Sequence, residues 1–203
     1  LGQAEDLGLF VRIDMEDSSL TEKTLECYQR CREAGDGHSV GIVVQSYLYR
    51  TEADVQDILA HQGSIRLCKG AYQEPPSVAF PRKADVDQNF DHLAEIMLDK
   101  SQEEGWPLST DGVFPPLPAL ATHDEDRIDH ALAYAEQIGL DPERMEFQML
   151  YGIRQELQVD LMESGYPVRV YVPYGEEWYP YFTRRLAERP ANLWFFISNY
   201  FKG

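Results

Sequence analysis

Cysteine is scarce in this chain, with three in 203 residues. So few, and an odd number, cannot build a disulfide framework. Cys27 and Cys31 stand at i and i+4 of a helical stretch and read as half-buried free thiols before a metal or redox pair. A reducing, cytoplasmic compartment is the expectation. Positive charge is also short: 18 Lys and Arg face 35 Asp and Glu, for a formal charge of −17 and a pI near 4.6. No nucleic acid is expected as a partner, because its phosphates demand a basic face, nor is electrostatic docking on anionic membrane. No apolar run approaches the roughly 18 residues of a membrane span, and no signal peptide is visible. There is neither a GxGxxG after a first strand nor a Walker-type loop, so any nucleotide cofactor must be held without a Rossmann crevice. The chain opens on Leu1 in place of Met, which leads us to expect the natural N-terminus outside it.

What is present is an alternation. At 43% hydrophobic, the chain can build a sizeable core, and a single domain over 1–203 is the natural prior. LGLFVRID leads to a helix from about Ser19 to Ala34, and VGIVVQSYL to one from about Glu52 to Gln62. IRLCKGAY leads to a helix over about Ala84 to Glu104, PALATHD to about Arg127 to Ile138, and MEFQMLYG to about Arg154 to Ser164. VRVYVPYG leads to a last helix that Pro180 can open and Pro190 closes. Apolar strands and helices in βα series argue for a parallel sheet covered by helices. Trp106 to Pro118, with four prolines, is the one long irregular loop.

Every second residue along each strand brings a polar or hydroxylated group to one face near its C-terminal end: Asp14, Gln45, Arg66, His123, Gln148 and Tyr171. Six such ends converging suit the mouth of a (β/α)₈ barrel better than an open sheet. Six of eight βα units are visible, and the first two are expected to be absent from the chain.

The candidate chemistry leaves alternatives open. Tyr181, Arg184, Arg185 and Glu188 share a face of the last helix; adjacent guanidiniums behind a ring suit a small carboxylate, although a solvated face with a Glu–Arg pair fits equally. Arg66-Leu-Cys-Lys-Gly-Ala-Tyr72 is the best candidate for phosphate contact, with a strand-end arginine, a lysine and a glycine that admits backbone amides to an anion. Lys69 could be a cofactor clamp, a lysine paired with carboxylates, or a Schiff-base lysine with Asp14 as its acid partner. His123 reads as a hydrogen-bond donor to a ligand before a metal ligand with Asp124 and His130.

VRIDMEDS (Val11 to Ser18), GIVVQSYLYRTE (Gly41 to Glu52), RLCKGAYQEP (Arg66 to Pro75), ATHD (Ala121 to Asp124), FQMLYG (Phe147 to Gly152) and YVPYGEEWYPYFTRRLAERPAN (Tyr171 to Asn192) together resemble proline dehydrogenase, in its bacterial single-function form. The resemblance implies a distorted (β/α)₈ barrel that binds FAD at its strand C-termini and oxidises L-proline to 1-pyrroline-5-carboxylate. It implies quinone as the final electron acceptor, with transient peripheral contact at the inner membrane. By position, Arg184 and Arg185 would bind the proline carboxylate. Tyr171, Tyr181 and Leu150 would surround its ring, and Asp14 would join the polar network around it. Arg66 would point toward flavin N5, and Met15 and Gln45 would contact the isoalloxazine. Lys69, Gly70 and Ala71 would hold the ribityl–phosphate part, Tyr72 would line the flavin pocket, Thr122 and His123 would bind further along FAD, and Glu188 would help hold the last helix. Cys68 stands where an aliphatic residue is expected. Two rivals remain at this stage: a Schiff-base aldolase using Lys69, and a remnant that binds FAD or proline without turnover.

Overall fold

In a computed structural model, residues 1–35, 37–103 and 113–176 are described. Two compact units divide the chain, Leu1–Val170 and Tyr171–Gly203. A short helix α1 (Gly2–Asp6), which the sequence pattern did not announce, precedes the first strand β1 (Val11–Ile13). There follow α2 (Thr21–Ala34), β2 (Val40–Gln45), α3 (Thr51–Ala60), β3 (Ser64–Cys68) and α4 (Lys83–Gln102). Next come β4 (Pro118–Ala121), α5 (Glu125–Ile138), a 3₁₀ turn (Pro142–Arg144), β5 (Glu146–Leu150), α6 (Gln155–Glu163) and β6 (Val168–Tyr171).

The strands lie side by side in chain order, β1 to β6, in one parallel sheet. That order settles the architecture. A doubly wound sheet must reverse its strand order at a switch point to place helices on both faces. Here the order never reverses, so right-handed crossovers carry every helix to the same side. The sheet is the curling wall of a (β/α)₈-type barrel, as expected.

Packing follows from two periodicities. In α4, Phe90, Leu93, Ala94, Met97, Leu98 and Ser101 are buried, a spacing that gives one continuous helical stripe. Across from it α5 buries Ile128, Ala131 and Ala135, the two alanines letting the helices approach. It stops at Gly139, whose φ of +67° is the left-handed turn that glycine adopts without strain. In β3, Ile65 and Leu67 point to the helices and are fully buried, while Ser64, Arg66 and Cys68 point the other way and stay partly open. Each large apolar side chain buried between wall and helices contributes about 1.5–3 kcal/mol.

Candidate active site

The strand register defines the inner face of the wall. Arg12 is level with Gly41, and Gly41 with Ser64. Val43 is level with Arg66, Arg66 with Ala119, and Ala119 with Glu146. Gln45 is level with Cys68, and Ala121 with Gln148. Neighbours in register point the same way, so Gln45, Arg66 and Gln148 share the inner face as expected, and Asp14 follows Arg12 onto it. Small residues beside large ones make the room: a side-chain carbon on Gly41 would come within 2.3 Å of Arg12 Nη1 and 2.7 Å of Phe10.

Arg66 is the hub of the upper layer. Its guanidinium forms an ion pair with Asp14 and donates to Gln148 Oε1 at 3.5 Å. Gln45 and Met15 are both buried beside it on β2 and just past β1, with Gln45 Nε2 donating to the Met15 carbonyl at 3.5 Å. The other end of that amide, Gln45 Oε1, is buried without a hydrogen-bond partner among the described residues. A buried orphan acceptor is costly unless a ligand supplies the donor.

Beneath this lies a layer that sequence reasoning missed. Arg12 donates to the Ser64 carbonyl at 2.9 Å, to Ser64 Oγ at 3.1 Å and to the Ile42 carbonyl at 3.3 Å. Burial first, and then the positive charge of Arg66, pull its guanidinium down to about 9. Glu146, also buried, receives the fork of Arg169 through Nε at 2.9 Å and Nη2 at 3.0 Å. The signal was available: Arg12, Ser64, Glu146 and Arg169 each stand two residues before an inner-face position already picked out.

The loops at the C-terminal ends of the strands are tied together. Glu74 accepts from the Ser18 backbone N–H at 2.7 Å, from Ser18 Oγ at 2.5 Å and from Tyr47 Oη at 3.4 Å, while Tyr72 donates to Glu16. Burial and then the Glu74 charge push the Tyr47 phenol well above its usual range. Gly70 sits at φ +107°, and a side-chain carbon there would lie 2.4 Å from the Tyr47 ring. The Tyr47 ring thus fills the space that a side chain at this position would take. Ala71 is exposed beside Gly70.

Lys69 is paired with carboxylates, one of the three possibilities that its position left open. Its ammonium bonds Asp87 and, at 2.5 Å, Asp124. Burial alone would raise the Asp124 carboxyl, but the Lys69 hydrogen bond and the charges of Lys69 and Lys83 outweigh it and hold the group below its ordinary value. Asp14, the acid partner that an aldolase would need beside Lys69, is engaged by Arg66 instead. Thr122 is buried and its hydroxyl accepts from the Asp124 N–H at 3.1 Å. His123 Nε2 lies 2.9 Å from the Leu150 N–H. An amide can only donate, so Nε2 is the acceptor and Nδ1 is the donating nitrogen. His130 lies instead between α5 and α4, 2.8 Å from Glu95, so it does not join His123 in a metal set. Tyr171 closes β6 and belongs to the second unit. Tyr181, Arg184, Arg185 and Glu188 lie outside the described residues.

The comparisons decide what this arrangement belongs to. The family model described as proline dehydrogenase matches residues 1–197. The chain belongs to the proline dehydrogenase family. It is 43% identical over 195 residues to proline dehydrogenase 2 of Bacillus subtilis, covering 96% of this chain and 59% of that one. It is 41% identical over 208 residues to proline dehydrogenase of Deinococcus radiodurans, covering 100% of this chain and 61% of that one. The chain therefore spans about 60% of the length of these proline dehydrogenases. Among solved structures, proline utilization A from Bdellovibrio bacteriovorus, inactivated by N-propargylglycine, superposes with a TM-score of 0.78 at 28% identity, over 90% of this chain and 20% of that one. No helix among the described residues is long and apolar enough to cross a membrane.

Proposed function

We propose that this chain carries out the FAD-dependent oxidation of L-proline to 1-pyrroline-5-carboxylate, the first step of proline catabolism. The observation that carries it is the family match over residues 1–197, on a wall whose polar strand ends share one inner face. The residues present fit a flavin at one buried atom: the orphan Gln45 Oε1 awaits a donor. When bound, FAD would supply a two-electron acceptor for the hydride of proline C5.

The chain's own residues bind and orient. Arg66 is held on the inner face with its charge directed to the mouth, where a fixed cation favours the extra negative charge of a reduced flavin. Met15 and Gln45 flank the ring system, and Tyr72 lines the same pocket. Lys69, whose charge Asp87 and Asp124 share, contributes to the phosphate part together with Gly70 and Ala71. Thr122 and His123, the latter through Nδ1, reach further along the cofactor. Arg184 and Arg185 hold the substrate carboxylate with two planar forks, Tyr171, Tyr181 and Leu150 wall in the pyrrolidine, and Glu188 supports the arginines. Asp14 keeps Arg66 from turning on the substrate. The proline amine must be neutral to push electrons toward C5, so rate rises with pH toward an amine pKa of roughly 10. Quinone is the final acceptor, reached by brief peripheral contact of a cytoplasmic protein with the membrane.

The test is steady-state turnover of FAD-loaded protein with proline and a quinone analogue, with the product trapped as a pyrroline adduct. Proline-dependent acceptor reduction with stoichiometric pyrroline supports the assignment. FAD-loaded protein that yields no pyrroline removes it.

A further inference from the structure

We infer that Glu146 is a positioning residue for Arg66, acting through the side-chain amide of Gln148. An ionised carboxylate only accepts hydrogen bonds, and a guanidinium only donates them. Gln148 lies between one of each. Its Nε2 donates to Glu146 Oε1, and its Oε1 accepts from Arg66 Nη1 at 3.5 Å. The opposite amide orientation would set NH₂ against guanidinium and C=O against carboxylate, so the two charges leave the amide one way to lie.

The base of this relay is firm. Glu146 is 2% exposed, and both its oxygens are taken by the Arg169 fork. Gln148 is 7% exposed, and Ala119 and Ala121 stand level with Glu146 and Gln148 on the neighbouring strand, leaving the polar pair its space. Arg66 is held on its other side by Asp14, whose side chain is 51% exposed. Gln148 is thus the buried stop of the guanidinium and Asp14 the solvent-side one. With the buried stop removed, Arg66 swings toward Asp14 and away from the axis of the wall. A buried carboxylate is expensive to keep. Its fixed direction on the Gln148 amide, together with the neutralisation of Arg169, is what a neutral residue could not supply.

The inference rests on the proposed flavin site for its functional consequence but not for its geometry, so two measurements are paired. The first needs no cofactor: side-chain nitrogen NMR of Arg66 in wild type, Glu146→Gln and Gln148→Met. Guanidinium rotation of Arg66 is expected to be more restrained in wild type than in either variant, where the Asp14 contact stays in place. Equal restraint of Arg66 in Gln148→Met overturns the inference. Gln148→Met keeps the Glu146–Arg169 pair and so remains informative if Glu146→Gln does not fold. The second measures the midpoint potential of bound flavin. Each single variant is expected to lower the two-electron equilibrium constant about tenfold, which is about 30 mV, with proline KM little changed. The double variant should shift no further than the larger single one. A shift in Glu146→Gln with none in Gln148→Met shows that Glu146 acts by its field and not through the amide, which also overturns the inference. A wild type that takes up no flavin counts against the proposed function, and the NMR result still decides the positioning role.

Discussion

Replacing Gly70 by Ala tests the packing of the strand end that carries Lys69, Gly70 and Ala71. Two costs add there. An L-residue at φ +107° is held in a region that only glycine visits freely, at about 1–3 kcal/mol. The new methyl carbon would also lie 2.4 Å from the Tyr47 ring. Tyr47 cannot easily yield, because its hydroxyl donates to Glu74, its N–H donates to the Lys69 carbonyl at 3.0 Å and its own carbonyl accepts from Phe80 at 2.8 Å. Overpacking of this kind costs about 1–3 kcal/mol. Together they predict a loss of roughly 2–6 kcal/mol, or about 4–24 °C in Tm for a chain of this size. Gly139→Ala is the control: φ is +67° there and nothing lies within 4 Å of the added carbon, so only the backbone cost of about 1–2 kcal/mol applies. Calorimetry of both variants gives the comparison. A Gly70→Ala protein no less stable than Gly139→Ala would refute the Tyr47 contact, and a Gly70→Ala/Tyr47→Leu double variant should recover the packing part alone.

Met in place of Arg184 or Arg185 should raise the proline KM strongly with FAD content intact, a loss of about 2–4 kcal/mol in kcat/KM; unchanged proline kinetics removes the pair from the substrate site. Tyr181→Ser should narrow the ratio of kcat/KM for proline over 4-hydroxyproline, mainly by weakening proline, since an apolar wall gives the added hydroxyl no partner. Arg66→Met should lower the flavin potential with little effect on proline KM, and the reverse pattern would exchange the roles given to Arg66 and the Arg184–Arg185 pair. Asp124→Asn tests the Lys69 cluster by pH: Asp124 is held below its ordinary 3.8, so its stabilising contribution is complete above that value and lost as pH falls through the folded-state value. The stability gap between wild type and Asp124→Asn, measured by denaturant unfolding, should close in acid below 3.8; a gap that does not change with pH contradicts the pairing.

Periodicity made much of this legible. Alternation along the strands placed Asp14, Gln45, Arg66 and Gln148 on one face because a strand has a strict period of two, and the register bears that out. The helix expected over about Ala84 to Glu104 is α4, Lys83–Gln102, with Phe90, Leu93 and Met97 on its buried stripe. What local pattern does not carry is which charges meet. Arg12 finds Ser64 across 52 residues and Arg169 finds Glu146 across 23, so their pairing depends on the curl of the wall. Asp124 shows the same limit at close range. Standing just before α5, it looks like a helix cap, yet its carboxylate makes no cap hydrogen bond and is taken by Lys69 and Lys83.

The visible spectrum of the purified protein, recorded before and after anaerobic addition of proline, tests the central claim most directly. Flavin absorption bands that bleach with proline and return with a quinone analogue are the expected result. A colourless protein that gains no bands with added FAD, and that borohydride traps covalently at Lys69 with a keto substrate, would contradict it.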